Sequence, residues 1–322
     1  MLEGRFSGAR HAREVVDFGR KRDRMQYIEH IMRSYRTRVS SLHKMLLNLL
    51  KNILPRQATV PPAPAGADTR IDASHAELRR EQLRRHQEAA QRALPGPHYV
   101  YALADIHALV KPRTYLEIGV NTGLTFGLAA PATRALGVDP EPMLKQPPAP
   151  NARVYTLTSD DFFAQIDVKK ECGGLPVDLA FIDGMHLFEF ALRDFIAIER
   201  LCTPASTVMV HDSYPLDRVT AERERASTFW SGDIWRLILA LKKYRPDLAI
   251  NTIASAPSGL TIIRGLDPGS RVLAGQLDAI VAEFLALDFS ILDADKPTAL
   301  NLVPNTQDQI RKLLGDAVRQ DA

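Results

Sequence analysis

Residues 177–189 read VDLAFIDGMHLFE, an almost unbroken apolar run that ends in Asp183, Gly184, Met185 and His186. Similar apolar runs occur on either side of it, in TYLEIGV (114–120), ALGVD (135–139), VYTLTS (154–159) and TVMVHD (207–212). Apolar strands without polar alternation, separated by helices, are typical of a parallel sheet that is covered on both faces. The sequence therefore predicts an α/β fold built around such a sheet.

A hairpin closes the predicted sheet towards its C-terminal side. The segments LAINTIA (248–254) and GLTIIRG (259–265) flank the turn residues Pro257-Ser258-Gly259. Because a short turn joins antiparallel strands, the last strand is predicted to be antiparallel. The sequence predicts helices for residues 99–110, from residue 123 onward and for residues 187–201. The predicted fold is α/β, with a doubly wound, mostly parallel, seven-stranded sheet and an antiparallel last strand.

Charge and composition divide the chain into segments. Residues 1–98 carry 19 Lys and Arg against 10 Asp and Glu, whereas the remaining residues carry 22 against 28. We predict five segments: a basic helical arm (1–55), a Pro- and Ala-rich linker (56–71), a connecting helix (72–97), an α/β domain (98–266) and a helical C-terminal extension (267–322).

The arm carries a repeating apolar seam. A spacing that alternates between 4 and 3 residues is kept by Ile28, Met32, Tyr35, Val39, Leu42, Leu46, Leu49 and Ile53. This period is typical of a coiled-coil helix, which Pro55 ends. Three partners for the seam stay open: a second copy of the chain, giving a homo-oligomer through residues 25–54; the body of its own chain; or an anionic membrane surface. Nucleic acid is not expected, because the basic residues form no recognisable binding motif.

Composition excludes several classes of protein. The chain is 45% apolar and 25% charged, as folded proteins are, which excludes a disordered or collagen-like chain. The sequence predicts no signal peptide and no membrane-spanning stretch. Cys172 and Cys202 lack CxxC spacing, so a disulfide framework and a cysteine zinc site are not expected. The predicted location is the cytoplasm, with contact at the inner membrane as the alternative.

Glycines and a carboxylate follow the first two strands. Strand one ends in EIGVNTG, which contains Glu117, Gly119, Asn121 and Gly123. The glycines allow the backbone to turn sharply and to approach a ligand closely. Strand two ends in Asp139, 22 residues after Glu117, and a carboxylate there can accept both hydroxyls of a ribose. This arrangement predicts a nucleoside-containing cofactor, with a simple turn former as the alternative for Asp139.

Polar residues also end the later strands, namely Ser159, Asp160, Asp183, His186, His211 and Asp212. The pair after strand three can meet an adenine edge or cap the next helix. The four ionisable groups after strands four and five are predicted to converge, because neighbouring parallel strands end on one rim of the sheet. Such a cluster indicates function rather than packing.

The order ExGxNxG, GVD, FIDGxH…E and VHDS resembles the class I S-adenosylmethionine-dependent methyltransferases over about residues 98–265. More narrowly, IDGMHLFE (182–189) resembles a bacterial family with an IDGxHxYE-like signature, with Phe188 where tyrosine is usual. The resemblance implies a Rossmann-like methyltransferase fold. It implies that residues 117–123 hold the methionine part of S-adenosylmethionine, that Asp139 binds the ribose, and that Ser159 and Asp160 meet the adenine.

The rim also resembles that of metal-dependent O-methyltransferases. Those enzymes place an acidic metal ligand after strand four and an acid–polar pair after strand five, where this chain has Asp183 and His211-Asp212. The resemblance implies Asp183, His211 and Asp212 as ligands of Mg or Mn, and whether a metal takes part stays open. His186 stands where that family has its catalytic lysine. We predict that His186, Asp183 and His211 carry catalysis. A neutral histidine can act as a base near pH 7, and which residue is the base stays open.

The predicted function is that of an enzyme, an S-adenosylmethionine-dependent methyltransferase acting on a hydroxyl of a small molecule or a glycan. The first alternative is an NAD-dependent oxidoreductase, although the GxGxxG sequence of that class is absent. The second is a catalytically inactive, methyltransferase-like scaffold. Residues 213–236 follow strand five and are expected to overhang the acceptor, with these candidate lining residues: Arg218, Arg223, Arg225, Trp230 and Trp235.

Overall fold

The computed structural model describes residues 69–225, 227 and 229–319. The predicted arm (1–55) and most of the linker (56–71) lie outside the described residues. The apolar seam of residues 25–54, with its predicted homo-oligomer or membrane contact, therefore stays a prediction.

The described chain forms one eight-stranded sheet with the order β3-β2-β1-β4-β5-β7-β6-β8. The strands are β1 (Thr114–Ile118), β2 (Arg134–Val138), β3 (Ala152–Tyr155), β4 (Leu179–Ile182), β5 (Thr207–His211), β6 (Ala249–Ile253), β7 (Leu260–Arg264) and β8 (Leu302–Val303). The first five strands are parallel, and β7 runs antiparallel to both β5 and β6. The predicted α/β fold with a mostly parallel sheet and an antiparallel seventh strand is confirmed.

The sheet has one strand more than predicted. Strand β8 pairs in parallel with β6, Leu302 opposite Thr252 and Val303 opposite Ile253. It lies in the C-terminal extension, for which the sequence predicted helices and no strand. Two residues are too few to show strand periodicity, so this strand follows from tertiary pairing rather than from a local pattern.

Helices cover both faces of the sheet. They are α1 (Thr69–Ala93), α2 (Tyr99–Val110), α3 (Ser159–Gln165), α4 (Val168–Glu171), α5 (Phe188–Glu199), α6 (Trp235–Tyr244), α7 (Val272–Gly275), α8 (Leu277–Leu285), α9 (Lys296–Ala299) and α10 (Gln307–Leu314). Short 3₁₀ turns follow at Phe126–Leu128, Phe289–Leu292 and Gly315–Ala317. Within the described part of the chain, no helix is both long and apolar enough to cross a bilayer.

One predicted helix differs from the structure. The stretch from Gly123 forms a 3₁₀ turn, Phe126–Leu128, instead of an α-helix. Gly123 and Gly127 lower its helix propensity, and Pro131 follows closely, so the stretch cannot hold a longer helix.

The helix of the connecting segment (72–97) ends at Ala93, inside that segment, since Pro95 disfavours helical backbone at the residue before it.

A buried ion pair joins the two helices that follow β4 and precede β6. The Arg245 guanidinium, just after α6, donates from Nη1 to both oxygens of Glu199 in α5, at 2.8 and 2.7 Å. Both side chains are nearly inaccessible, at 2% and 6% exposure. Arg245 also contacts the carboxylate of Asp247 at 2.7 Å. Because the Arg245 guanidinium and the Glu199 carboxylate neutralise each other, both can be buried in the core.

We expect Arg245→Ala to cost about 3–5 kcal/mol of unfolding free energy, because it leaves the Glu199 carboxylate buried without its partner. The matched control is Lys243→Ala, which removes an exposed ion pair with Glu283 at 2.5 Å and should cost less than about 1 kcal/mol. Urea unfolding of the full chain measures both. Equal losses in the two variants would contradict the role assigned to burial.

Candidate active site

A cleft of about 790 Å³ opens at the carboxyl edge of the parallel strands. Its volume lies in the range of small-molecule sites, roughly 300–1,000 Å³. Nine of the predicted site residues line it, namely Gly119, Asn121, Asp139, Ser159, Asp160, Asp183, His186, His211 and Asp212. The ends of β1, β2, β4 and β5 and the start of α3 thus form one site.

The loop after β1 approaches the end of β4 very closely. Gly119 has a φ of +89°, and a Cβ there would lie 2.1 Å from the carbonyl oxygen of Asp183. Only glycine fits this position. Asn121 in the same loop also has a positive φ, of 47°. Its backbone N–H donates to Asp139 Oδ2 at 2.7 Å, and the N–H of Glu141 donates to Oδ1 at 2.8 Å. Asp139 therefore ties the loops after β1 and β2 together while lining the cleft.

Two predicted cofactor residues do not reach the cleft wall. Glu117 is fully buried beneath it, and its carboxyl accepts hydrogen bonds from Tyr115 Oη (2.5 Å) and Thr125 Oγ1 (2.6 Å). Burial raises the pKa of Glu117 to about 8, although both hydroxyl donors oppose the shift. Gly123 is absent from the lining as well. Strand alternation explains the position of Glu117, since its side chain shares the face of Tyr115.

The residues after β3 form the far wall of the cleft. Thr158, and neither Ser159 nor an aspartate, caps α3, accepting from the backbone N–H of Asp161 at 3.1 Å. Asp160 pairs with Arg193 of α5 at 2.6 and 2.9 Å, which lowers the pKa of its carboxyl. Ser159 hydrogen-bonds Asp194, whose pKa burial raises to about 7.

The four ionisable groups after β4 and β5 converge as predicted. His186 Nδ1 lies 3.0 Å from Asp212 Oδ2, and His186 Nε2 lies 3.5 Å from Asp183 Oδ1. His211 Nδ1 lies 3.1 Å from Asp183 Oδ1 and 3.3 Å from Asp212 Oδ2. The backbones of His186 and Asp212 adopt positive φ, at 58° and 56°. Such backbone strain in non-glycine residues occurs preferentially at functional sites.

The cluster holds both histidines in their charged form. Burial lowers the pKa of His186, but the nearby carboxylates of Asp212 and Asp183 outweigh it and raise the pKa to about 9. The same balance raises the pKa of His211 to about 10. His211 in turn holds the pKa values of Asp183 and Asp212 below their usual range, against burial. The cluster therefore favours the charged form of His186 near pH 7, whereas a histidine that acts as a base has to be neutral.

Three residues lie close enough to hold a metal ion together, and they overlap in part with the predicted ligand set. Ligand atoms of Asp183, His186 and Asp212 all lie within 4.8 Å of one another. His211, which was predicted as a ligand, is not in this group. Its Nδ1 instead contacts both carboxylates, and its Nε2 lies 3.5 Å from Ser258 Oγ. His211 is placed to compensate the carboxylates rather than to complete the ligand set.

The segment between β5 and α6, residues 212–234, overhangs the cluster. The indole of Trp230 stacks on the His186 ring, with centroids 5.1 Å apart and planes 17° apart. Gly232 packs against the backbone of His186, where a Cβ would lie 1.9 Å from the carbonyl oxygen. Trp235 is instead buried in the core, edge-on to Phe289. Of the candidate lining residues, Arg225 and Trp230 reach the cleft, whereas Arg218, Arg223 and Trp235 do not.

Sequence reasoning missed three residues that contact the cluster or the wall beside it. The Tyr99 ring lies on His211, with centroids 3.9 Å apart. Ser258 donates a hydrogen bond to Asp212 Oδ1. Asp194 lines the cleft from α5. The antiparallel pairing of β7 with β5 brings the hairpin turn to the end of β5, so Ser258 could have been found from topology. The sequence around Tyr99 and Asp194 shows no motif that would have predicted their place in the cleft.

Comparison with known proteins supports a methyltransferase domain in part of the chain. Residues 116–213, from β1 to just beyond β5, match the family model described as a methyltransferase domain. No curated protein matches the chain in sequence.

Three solved structures align with this chain at low sequence identity. The O-methyltransferase TomG from Streptomyces achromogenes, in complex with S-adenosylmethionine, has a TM-score of 0.42 and 17% identity over 56% of this chain and 89% of that chain. Cofactor-bound Rv0187 from MTB has a TM-score of 0.42 and 17% identity, and the match covers 65% of this chain and 100% of that chain. The O-methyltransferase from Bacillus cereus, in complex with SAH, has a TM-score of 0.41 and 16% identity, and the match covers 57% of this chain and 90% of that chain.

Glu117 gives a pH-dependent stability prediction. Its pKa is about 8 in the folded chain and ordinary, about 4.5, when unfolded. Between these values the folded state keeps a proton that the unfolded state has lost, so stability falls as the pH rises through this window. Glu117→Gln removes this titration and can still bond both hydroxyls.

We expect Glu117→Gln to raise the melting temperature at pH 8 by roughly 2–4 °C, equivalent to about 1 kcal/mol. The gain should shrink towards pH 5. The control, Glu141→Gln, changes an exposed carboxylate and should leave the melting temperature unchanged at both pH values. An unchanged or lower melting temperature of Glu117→Gln at pH 8 would show that the buried group is not protonated.

Proposed function

We propose that the protein is an S-adenosylmethionine-dependent methyltransferase that methylates a hydroxyl oxygen of a small molecule or a glycan. One observation carries the proposal: a single cleft joins a nucleoside-type half, built on Asp139 and the glycine loop, to a half built on a buried cluster of ionisable groups. The match of residues 116–213 to a methyltransferase domain supports it independently.

In the half of the cleft around Asp139 and the glycine loop, the residues match the chemical groups of S-adenosylmethionine. Gly119 and Asn121 line the cleft, and the missing side chain of Gly119 lets the methionine part lie close to the backbone of this loop. Asp139 keeps a carboxylate in the cleft, where it can accept the two ribose hydroxyls. Ser159 and Asp160 lie further along the same wall, where polar atoms can meet the adenine edge.

The second half would deprotonate and position the acceptor. The cofactor, when bound, supplies an electrophilic methyl group on sulfur. The acceptor oxygen attacks the methyl carbon, the sulfur keeps the electron pair of the broken bond, and the hydroxyl proton passes to a carboxylate oxygen of Asp183 or Asp212, because His186 already carries its proton. His186 is the member of the cluster that faces both the cleft and Trp230. Holding the two reactants in line in a partly desolvated cleft supplies much of the acceleration.

A divalent cation fits the same cluster. Two carboxylates and one imidazole suit Mn²⁺ and the later first-row ions better than Mg²⁺, which prefers oxygen ligands. Asp183, His186 and Asp212 would hold the ion, which would lower the pKa of a bound acceptor hydroxyl. The cation would also replace the positive charge that the protonated histidine contributes to the cluster.

Isothermal titration calorimetry of the full chain tests the cofactor class directly. We expect binding of S-adenosylmethionine and of S-adenosylhomocysteine, and no binding of NAD. Binding of NAD alone would favour the oxidoreductase. The absence of binding by all three would favour a scaffold that lacks catalytic activity.

We expect Asp139→Ala to weaken S-adenosylmethionine binding by about 2–4 kcal/mol, at least tenfold, since two charge-assisted hydrogen bonds to the ribose are lost. Asp139→Asn keeps the size of the side chain and one acceptor, so its loss should be smaller. Asp278→Ala removes an exposed carboxylate from α8 as a control for net charge. Unchanged affinity in a folded Asp139→Ala variant would contradict the ribose assignment.

The metal proposal predicts that chelation reduces methyl transfer by at least about tenfold and that Mn²⁺ restores it. Direct titration of Mn²⁺ into the metal-free chain should show one site, which Asp183→Asn and Asp212→Asn each remove. Full turnover in EDTA, together with no measurable Mn²⁺ binding, would leave the ionised histidines as the only compensation of the two carboxylates.

A further inference from the structure

The wall of the cleft formed by the segment between β5 and α6 is held firmly in place. Lys296 Nζ, at the start of α9, donates to the carbonyl oxygens of Pro215 and Leu216 at 2.8 and 2.9 Å. Arg218 forms a bidentate pair with Asp288 at 2.9 and 2.8 Å. These contacts tie residues 215–218, the first part of this wall, to the C-terminal extension.

The wall and the start of α6 carry four arginines, and three of them have intramolecular partners. Arg218 binds Asp288, Arg223 binds Glu189 at 2.6 Å and Asp233 at 2.7 Å, and Arg236 binds Asp233 at 3.1 Å. Arg225 differs from all three. It is exposed to solvent at the cleft that it lines, and it pairs with no carboxylate of the described residues.

Arg225 has to be considered together with the other charged side chains that line the cleft. The cleft is rich in carboxylates, yet those of Asp183 and Asp212 are compensated by His186 and His211. The only other cationic side chains in the described lining are these two histidines. A guanidinium in the lining that pairs with none of the available carboxylates can accept an anion from outside the chain.

We propose that Arg225 binds an anionic group, a carboxylate or a phosphate, on the same acceptor molecule whose hydroxyl is methylated. The inference rests on the proposed function and narrows its substrate class to acidic hydroxy compounds. A guanidinium matches a carboxylate or phosphate through two parallel N–H···O bonds. The charge of the acceptor thus becomes the basis of its selection.

The cleft lining between His186 and Arg225 offers aromatic faces to the ring of such an acceptor. The hydroxyl end lies at His186, whose ring is stacked on Trp230. Trp230 is fixed by a 2.6 Å hydrogen bond from its Nε1 to the carbonyl oxygen of Glu222. Phe229 also lines the cleft from this wall. An aromatic or sugar ring can pack on these faces while its anionic substituent reaches Arg225.

The test compares matched anionic and neutral probes by calorimetry on the full chain. The aromatic pair is 3,4-dihydroxybenzoate and 3,4-dihydroxybenzyl alcohol. The sugar set is glucuronate, glucose 6-phosphate and glucose, which separates a carboxylate from a phosphate. We expect at least one anionic probe to bind tenfold or more tightly than its neutral counterpart. We expect Arg225→Gln to abolish that preference, and Arg200→Gln, which removes an exposed charge at the end of α5, to keep it.

The proposal is overturned if no anionic probe binds better than its neutral counterpart, or if the preference survives in Arg225→Gln. Each titration is run on the free chain and on the chain saturated with S-adenosylhomocysteine. Failure of S-adenosylhomocysteine to bind would count against the proposed function, whereas the comparison of probes on the free chain still decides the role of Arg225. The two failures are therefore distinguishable.

Discussion

Two carboxylates and two imidazoles compensate one another at the ends of β4 and β5, and the architecture of the cleft depends on this buried contact. Removing water from an isolated charge is costly, so none of these groups could occupy its position alone. His211, at 6% side-chain exposure, lies close to both Asp183 and Asp212. Tyr99 and Ser258 close the cluster from the helix before β1 and from the hairpin turn. The cluster thus links elements that are distant in the sequence.

The cleft divides into two halves because strand order and loop geometry differ around the sheet. On one side, Asp139 accepts backbone N–H groups from the loops after β1 and β2, so a single carboxylate both shapes the nucleoside half and lines it. On the other side, residues 212–234 fold over His186, and Gly232 allows their backbone to lie against it. The C-terminal extension then fixes this overhang through Lys296 and Arg218. Elements beyond residues 116–213, which match the methyltransferase domain, therefore shape the half of the cleft around His186.

The features that depend on local sequence pattern and on strand topology could be predicted from the sequence. Those that depend on tertiary contacts could not. Apolar runs located the main strands, and the rule that parallel strands end on one rim brought Asp139, Asp183 and Asp212 together correctly. Strand β8 is too short to leave a pattern, and the stretch after Gly123 is too rich in glycine to hold the predicted helix. The protonation of His186 depends on distances to carboxylates 3 and 26 residues away in the chain, which spacing alone cannot give.

A crystal structure of the full chain with S-adenosylhomocysteine would show directly whether the cleft binds the cofactor as proposed. We expect the homocysteine part against the loop of Gly119 and Asn121, the ribose hydroxyls within hydrogen-bond distance of Asp139, and the sulfur facing the cluster of Asp183, His186 and Asp212. A ligand bound elsewhere, or a nucleoside turned away from Asp139, would contradict the proposed binding.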